Sequence, residues 1–199
     1  MKSILISIQP QWVEKILSGE KTVEIRKTVP KCELPCRVYI YCTKGRCEQY
    51  SPPLSDTDYK HAFGYVLNGK VVAEFILRDA ECFTTDYRRN AEQTEKISKN
   101  GCIDISDMIE YEQGSPCLYA WHIDNLKIYF RPIDLNKFCK PCKHIKNGEC
   151  FLYSECCKHL GIEIKIKNGA AYGAREHVCC RRIERPPQSW CYVEGLYEN

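Results

Sequence analysis

No apolar run in these 199 residues approaches the roughly 18 to 20 needed to cross a bilayer, which sets aside a helical membrane protein. The start, Met1-Lys2-Ser3-Ile4-Leu5-Ile6-Ser7, turns polar too soon for a secretory signal, so the chain is expected in the cytoplasm. Charge of one sign is also scarce. Lys and Arg number 29 against 26 Asp and Glu, and the resulting +3 permits contact with phosphates without demanding it. There is no internal repeat or low-complexity tract, and a 44% hydrophobic, 28% charged composition is that of a soluble globular chain.

What the chain does have is cysteine. Fifteen in a sequence without an export signal argue against a disulfide framework and toward reduced thiols or metal ligands, and an odd number leaves at least one unpaired. Eight of them, with three of the five histidines, lie between Cys139 and Cys191, where apolar periodicity fades. Composition therefore divides the chain into a domain over 1–135 and a Cys-rich tail over 136–199. The tail has too little apolar surface to fold alone, and a metal is the natural source of the missing stability.

The first domain reads as α+β. Ile4–Ile8 is a short β-branched strand, and Pro10 opens a helix whose Trp12, Val13, Ile16 and Leu17 share a face before Gly19 ends it. Polar and apolar residues alternate over Lys21–Lys27, placing Thr22, Glu24 and Arg26 on one face and Val23 and Ile25 on the other. Arg37–Tyr41 is a further strand. Phe63–Leu67 and Lys70–Ile76 form a hairpin around Asn68-Gly69, with a type I′ turn expected. Glu74 shares a face with Val72 and Ile76, an awkward place for a carboxylate unless that face lines a cleft. Helices over Ala91–Lys99 and from Asp104 or Ser106 to Tyr111 form an insertion covering the strands, and Leu118–Ile123 and Leu126–Phe130 complete a small mixed barrel.

The run Ser18-Gly19-Glu20-Lys21-Thr22-Val23-Glu24-Ile25-Arg26 after a short helix resembles the G-x-K-x-x-E-x-R signature of the ASCH family. Gly69–Phe75 and Tyr119–Ile123 resemble their counterparts in that family, so the likeness covers roughly residues 1 to 135. It is strongest to phage and clostridial members with a Cys-rich tail ending in Pro-Pro-Gln-Ser-Trp-Cys-Tyr-Val, here Pro186 to Val193. The resemblance implies a PUA-like β-barrel with a cleft between the early helix and the signature strand, a site associated with RNA or modified nucleosides. Some small bacterial members are amidohydrolases acting on N4-acetylcytidine through a lysine, a threonine and a glutamate. Lys21 and Glu74 match two of these; where the threonine would fall, this chain has Glu24.

Lys21, Thr22, Glu24, Arg26 and Glu74 are accordingly the candidate nucleotide-binding residues, and Lys21, Glu24 and Glu74 the candidate catalytic ones. In amide hydrolysis a carboxylate acts as base for water while an ammonium steadies the oxyanion. The plainer alternative for the signature is a Glu24–Arg26 ion pair that fixes the strand beside the helix, and for Glu74 an edge position facing solvent. Trp12, Tyr39, Tyr41, Tyr65 and Trp121 are places for a base to stack, with Trp12 assigned to the core. Lys15, Lys27, Lys31, Arg37, Lys44 and Arg46 are candidates for meeting phosphates.

In the tail, Cys139-x-x-Cys142 has the spacing with which two thiolates grip a tetrahedral ion, and Cys150, Cys156 and Cys179 extend the ligand set. Cys157, Cys180, His144 and His177 are further possibilities. Structural zinc is the preferred reading, with an iron–sulfur cluster or free cysteines as the alternatives. The function classes left open are an RNA- or nucleotide-binding protein with a regulatory role, a hydrolase of a modified nucleoside or of RNA (a ribonuclease), and a phage-encoded protein-interaction adaptor.

Overall fold

The computed structural model describes residues 3–45, 67–141, 145–146, 149–150, 165–167, 170–172 and 181–193. Strand β1 (Ser3–Ile8) runs into helix α1 (Pro10–Leu17), followed by β2 (Val23–Arg26), β3 (Cys36–Cys42), β4 (Lys70–Leu77) and β5 (Ala80–Phe83). Helices α2 (Tyr87–Gly101) and α3 (Ile105–Glu112) come next, then β6 (Leu118–His122) and β7 (Asp124–Asp134). Beyond them are the two- and three-residue strands β8 (Cys139–Lys140), β9 (Ile145–Lys146), β10 (Glu149–Cys150), β11 (Lys165–Lys167), β12 (Ala170–Tyr172) and β13 (Arg181–Arg182), and finally β14 (Trp190–Val193).

The punctuation read from the sequence operates locally. Pro10 occupies the first turn of α1, where its missing N–H leaves no bond unmade, and Gly19 takes a φ of +79° just past the end. That turn lets the Lys21 amide bond back to the Lys15 carbonyl (2.8 Å) and aims the chain into β2. At Asn68-Gly69 only the glycine has positive φ, at +79°, with the Lys70 amide closing on the Leu67 carbonyl (3.1 Å). The type I′ turn is therefore corrected, because that geometry requires positive φ at both central residues. The first arm of the expected hairpin, residues 63–66, lies outside the described residues.

Among the described residues the strands do not close into a barrel. They form a five-stranded sheet, β14-β1-β3-β4-β7, and a three-stranded sheet, β2-β6-β5. The barrel expectation fails because the signature strand β2 hydrogen-bonds β6 rather than β1 or β3, so the two sheets meet face to face instead of continuing one ladder. Ile4, Ile6, Val38, Ile40 and Phe75 from the large sheet, Val13 and Ile16 from α1, and Trp121 from the small sheet fill the space between. The other face of the small sheet, Val23, Ile25, Leu118 and Ala120, packs on Ile97 of α2 and Met108 of α3. The helical insertion thus covers that face, and β5 is a strand that sequence reading missed.

The large sheet also has a second buried face. Leu5, Tyr39, Tyr41 and Val71 pack there against Leu135, Phe138, Ile183 and Val193. Three of these, Phe138, Ile183 and Val193, come from the segment that composition assigned to the tail. β14 pairs antiparallel with β1, Leu5 opposite Cys191, so the last described strand is an edge of the main sheet and not part of a separate appendage. On either side of the Cys-rich run, β8 and β13 pair antiparallel in a two-stranded sheet of their own, Lys140 opposite Arg181.

Candidate functional site

Where α1, the end of β1 and β2 converge, they leave a cavity of about 610 Å³. Ser7, Ile8 and Gln9 form its floor, Trp12 one side, and Lys21, Glu24 and Arg26 the polar wall. Ile103 and Tyr111 border it from the helical insertion, and Pro186, Pro187 and Gln188 from the segment leading into β14.

The wall is built of buried charge. Glu24 is 6% exposed, and its two carboxylate oxygens lie 3.4 Å from Lys21 Nζ and 2.9 Å from Arg26 Nη2. Lys21 Nζ also donates to the Gly101 carbonyl (2.6 Å), at the end of α2. Arg26 Nη2 donates to the Ser7 carbonyl (2.7 Å), and Nη1 to Ser189 Oγ (3.3 Å). The Trp12 ring lies 5.3 Å from the Lys21 ammonium, within cation–π range. Two cations share one carboxylate, so the wall carries a net positive charge in a setting that water screens poorly. Burial lowers the Lys21 pKa below the ordinary lysine value, and Glu24 partly offsets this by favouring the ammonium.

The segment 186–189 is held against this wall by several bonds. The Ser7 amide donates to the Ser189 carbonyl (2.8 Å) and the Ser7 hydroxyl to the Pro187 carbonyl (2.7 Å). Trp190 packs against Trp121 with ring centroids 5.9 Å apart, and its Nε1 donates to Thr28 Oγ1 (3.0 Å). The indole thereby fastens the far edge of the site to the centre of the molecule.

Of the residues singled out by sequence, Lys21, Glu24 and Arg26 meet at the cavity, whereas Thr22 and Glu74 do not line it. Thr22 precedes β2 and is exposed, because the regular strand begins at Val23, two residues later than the alternation suggested. Glu74 lies opposite Tyr39 in the β3–β4 ladder, on the sheet's second face. There its carboxylate accepts a hydrogen bond from Tyr129 Oη (2.6 Å), with Arg37 Nε at 3.9 Å. Glu74 and Lys21 are thus separated by the sheet, which corrects their pairing as a catalytic couple. The alternation located a polar residue correctly on its strand but did not say which face of the sheet looks into the cavity.

Trp12 packs on the core and lines the cavity at once. Tyr39, Tyr41 and Trp121 are core residues, and Tyr65 lies outside the described residues. Lys27 stands at the rim, its ammonium 5.1 Å from the Tyr111 ring and bonded to the Gln113 carbonyl (2.9 Å). Arg37 belongs with Glu74, and Arg46 is outside the described residues. Gln9, Tyr111, Ile103 and Gln188 were missed, since each comes from a different element; only Pro186–Val193 carried a signal, as a motif without a location. Of the proposed metal ligands, Cys142, Cys156 and Cys179 lie outside the described residues, Cys150 is described in its backbone alone, and Cys139 begins β8. Among the described residues no three His, Cys, Asp or Glu side chains converge as a metal site.

No family model matches the chain. A curated protein of Zymomonas mobilis subsp. mobilis, an ASCH domain-containing ribonuclease, is 42% identical over 43 residues, which is 22% of this chain and only 29% of that protein's length. Among solved structures, ASCH from Zymomonas mobilis aligns over 67% of this chain and 74% of its own, at 21% identity and a TM-score of 0.48. A point mutant of the Zymomonas mobilis protein aligns over 97% of this chain and 89% of its own, at 17% identity and a TM-score of 0.50.

Proposed function

From a chain that has the fold of ASCH domain structures, we propose that the cavity between α1 and β2 binds RNA through a single-stranded nucleotide. The observation that carries this reading is the wall itself: Lys21 and Arg26, both buried, share the one carboxylate of Glu24 beside an indole face. A net positive, poorly hydrated wall attracts phosphate, and a flat aromatic side accepts a base by stacking. The volume of about 610 Å³ falls in the range of small-molecule sites. The ribonuclease name of the partially matching Zymomonas protein supports an RNA-related role in general.

The test is fluorescence anisotropy with short labelled single-stranded RNAs over a salt series. Wild type is expected to bind with an affinity that falls as salt rises, and Trp12→Ala and Lys21→Met to weaken it about tenfold or more. Glu74→Gln, on the opposite face, is expected to bind like wild type. Binding that is absent up to high micromolar protein, or that is equally strong in Trp12→Ala and Lys21→Met, overturns the reading.

A second reading, hydrolysis of RNA or of a modified nucleoside, draws on one observation: burial lowers the Lys21 pKa next to a carboxylate, the setting in which an amine and an acid exchange protons with a substrate. In this reading Lys21 and Glu24 are the reacting groups and Glu74 takes no part. Cleavage of single-stranded RNA, or deacylation of N4-acetylcytidine, that is lost in Lys21→Met and Glu24→Gln supports it; turnover that persists in both excludes this site. For the Cys-rich tail we propose structural zinc on thiolates that include Cys139 and Cys142, motivated by their spacing. Near-zero zinc in the purified protein by elemental analysis contradicts that proposal.

A further inference from the structure

Lys21 lines the cavity although only 4% of it is exposed. Among the described residues, two acceptors lie within reach of its Nζ: the Gly101 carbonyl at 2.6 Å and Glu24 Oε2 at 3.4 Å. An ammonium carries three N–H groups, an uncharged amine two and a lone pair. The two acceptors match the two hydrogens of the amine, which leaves the lone pair for the cavity. Burial lowers the Lys21 pKa and so raises the share of that uncharged form. Arg26 Nη2 lies 2.9 Å from the other Glu24 oxygen and fixes the carboxylate beside the amine. A desolvated amine of this kind is the form in which lysines make imines with carbonyl compounds.

We propose that Lys21 captures an aldehyde-bearing nucleotide as an imine, with Glu24 as the proton carrier. The proposal rests on the reading of the cavity as a nucleotide site and adds the class of ligand that it takes. An intact nucleotide offers an amine no such carbon, because C1′ is locked in the N-glycosidic bond and the ring carbonyls of the bases are amide-like. Two kinds of nucleotide do. In one the base carries a formyl group; in the other the base has been lost and the sugar opens to its aldehyde.

The Nζ lone pair attacks the aldehyde carbon. A C–N bond forms, the carbonyl π pair moves to oxygen, and Glu24 carries one proton from nitrogen to that oxygen to give a carbinolamine. The nitrogen lone pair then expels hydroxide, and Glu24 carries the second nitrogen proton to it as water leaves. In sum, amine and aldehyde give an imine and water. Lys15 has no such shelter: its side chain is 38% exposed and its ammonium lies 3.5 Å from the exposed Glu20 carboxylate.

The experiment uses the full chain and short single-stranded RNAs of one sequence: intact, with one 5-formylcytidine, or with one abasic ribonucleotide. Each is incubated with sodium cyanoborohydride, which reduces an imine to a stable secondary amine. Adducts are quantified by denaturing electrophoresis and located after nuclease and trypsin digestion. Trypsin does not cut after an alkylated lysine, so the expected product is peptide 16–26 carrying a nucleotide remnant, in place of peptides 16–21 and 22–26. An adduct is expected with at least one of the two aldehyde strands, the faster of which identifies the source, and none with the intact strand. Labelling at Lys21 is expected to exceed that at Lys15 by about tenfold or more. Lys21→Arg, which keeps the charge without an amine that can add, gives no adduct, nor does Lys21→Met, and Glu24→Gln slows adduct formation about tenfold or more. No adduct at Lys21 in the wild type, or labelling spread evenly over the exposed lysines, overturns the proposal; an unchanged rate in Glu24→Gln overturns the proton transfer assigned to Glu24. Anisotropy with the intact strand separates the two readings. Intact RNA that binds while the aldehyde strands give no adduct strikes the capture and leaves the binding site standing, whereas absence of both strikes both.

Discussion

Glu24 and Glu74 both lie on central stretches of strands, both are largely buried, and both touch an arginine, yet they build different things. Glu24 holds two buried cations, Lys21 and Arg26, beside an open cavity. Glu74 meets one half-exposed arginine at 3.9 Å and a tyrosine hydroxyl at 2.6 Å, under the second hydrophobic cluster of the same molecule. The first cluster has a net positive charge facing space that a ligand can fill. The second is neutral, and the tyrosine donates inward to the carboxylate instead of outward. An excess of cations over anions at a cavity wall, and not a buried carboxylate as such, therefore distinguishes a binding site from an internal fastening.

The comparison breaks most severely at Glu24. Replacing it by leucine leaves two buried cations without their shared anion, and a loss of about 3–5 kcal/mol in urea-denaturation stability is expected. A loss as small as that of an exposed pair would mean that Lys21 and Arg26 are solvated in the folded protein. The next effect is pH-dependent. The lysine pKa is depressed in the folded state relative to its ordinary 10.5, so between the two values the unfolded chain binds more protons. The contribution of Lys21 to stability thus rises with pH across that window, reaching its ceiling above 10.5, while below the folded value the full penalty of burying the ammonium applies. Lys21→Met is expected to remove this slope from stability measured between neutral and alkaline pH.

On the other face the effects are smaller. Glu74→Gln keeps an acceptor for Tyr129 but loses the charge beside Arg37, with an expected cost of about 1–2 kcal/mol and no change in ligand binding. Burial, then the bond to Glu74, raises the Tyr129 pKa well above the usual tyrosine range, so the hydroxyl stays protonated throughout the neutral region. Tyr129→Phe removes a single hydrogen bond and is expected to cost about 1 kcal/mol in the same denaturation assay. If Glu74→Gln weakens RNA binding as much as Lys21→Met does, the two faces are not independent.

Much of the first cluster was legible because its determinants are local. Pro10, Gly19 and the alternation of Lys21–Lys27 lie within one helix–turn–strand, and local rules place Glu24 and Arg26 side by side on it. Glu74 was legible as a polar residue on a strand, but which sheet face is the cavity side depends on how β2 pairs, and it chose β6, nearly a hundred residues away. The same long-range choice turned an expected barrel into two sheets. β5 escaped notice because a four-residue strand of mixed polarity has no period to read. β14 was hidden by the cysteines around it: composition described the tail as one unit, while Trp190 and Val193 carry the contacts that return it to the core.

The most direct test of the central claim is the affinity for single-stranded RNA measured in parallel for Lys21→Met and Glu74→Gln, both confirmed folded, at low and moderate salt. The cavity account predicts about tenfold or greater weakening with a shallower salt dependence for Lys21→Met, and wild-type behaviour for Glu74→Gln. Wild-type binding in Lys21→Met, with the loss appearing instead in Glu74→Gln, would contradict it.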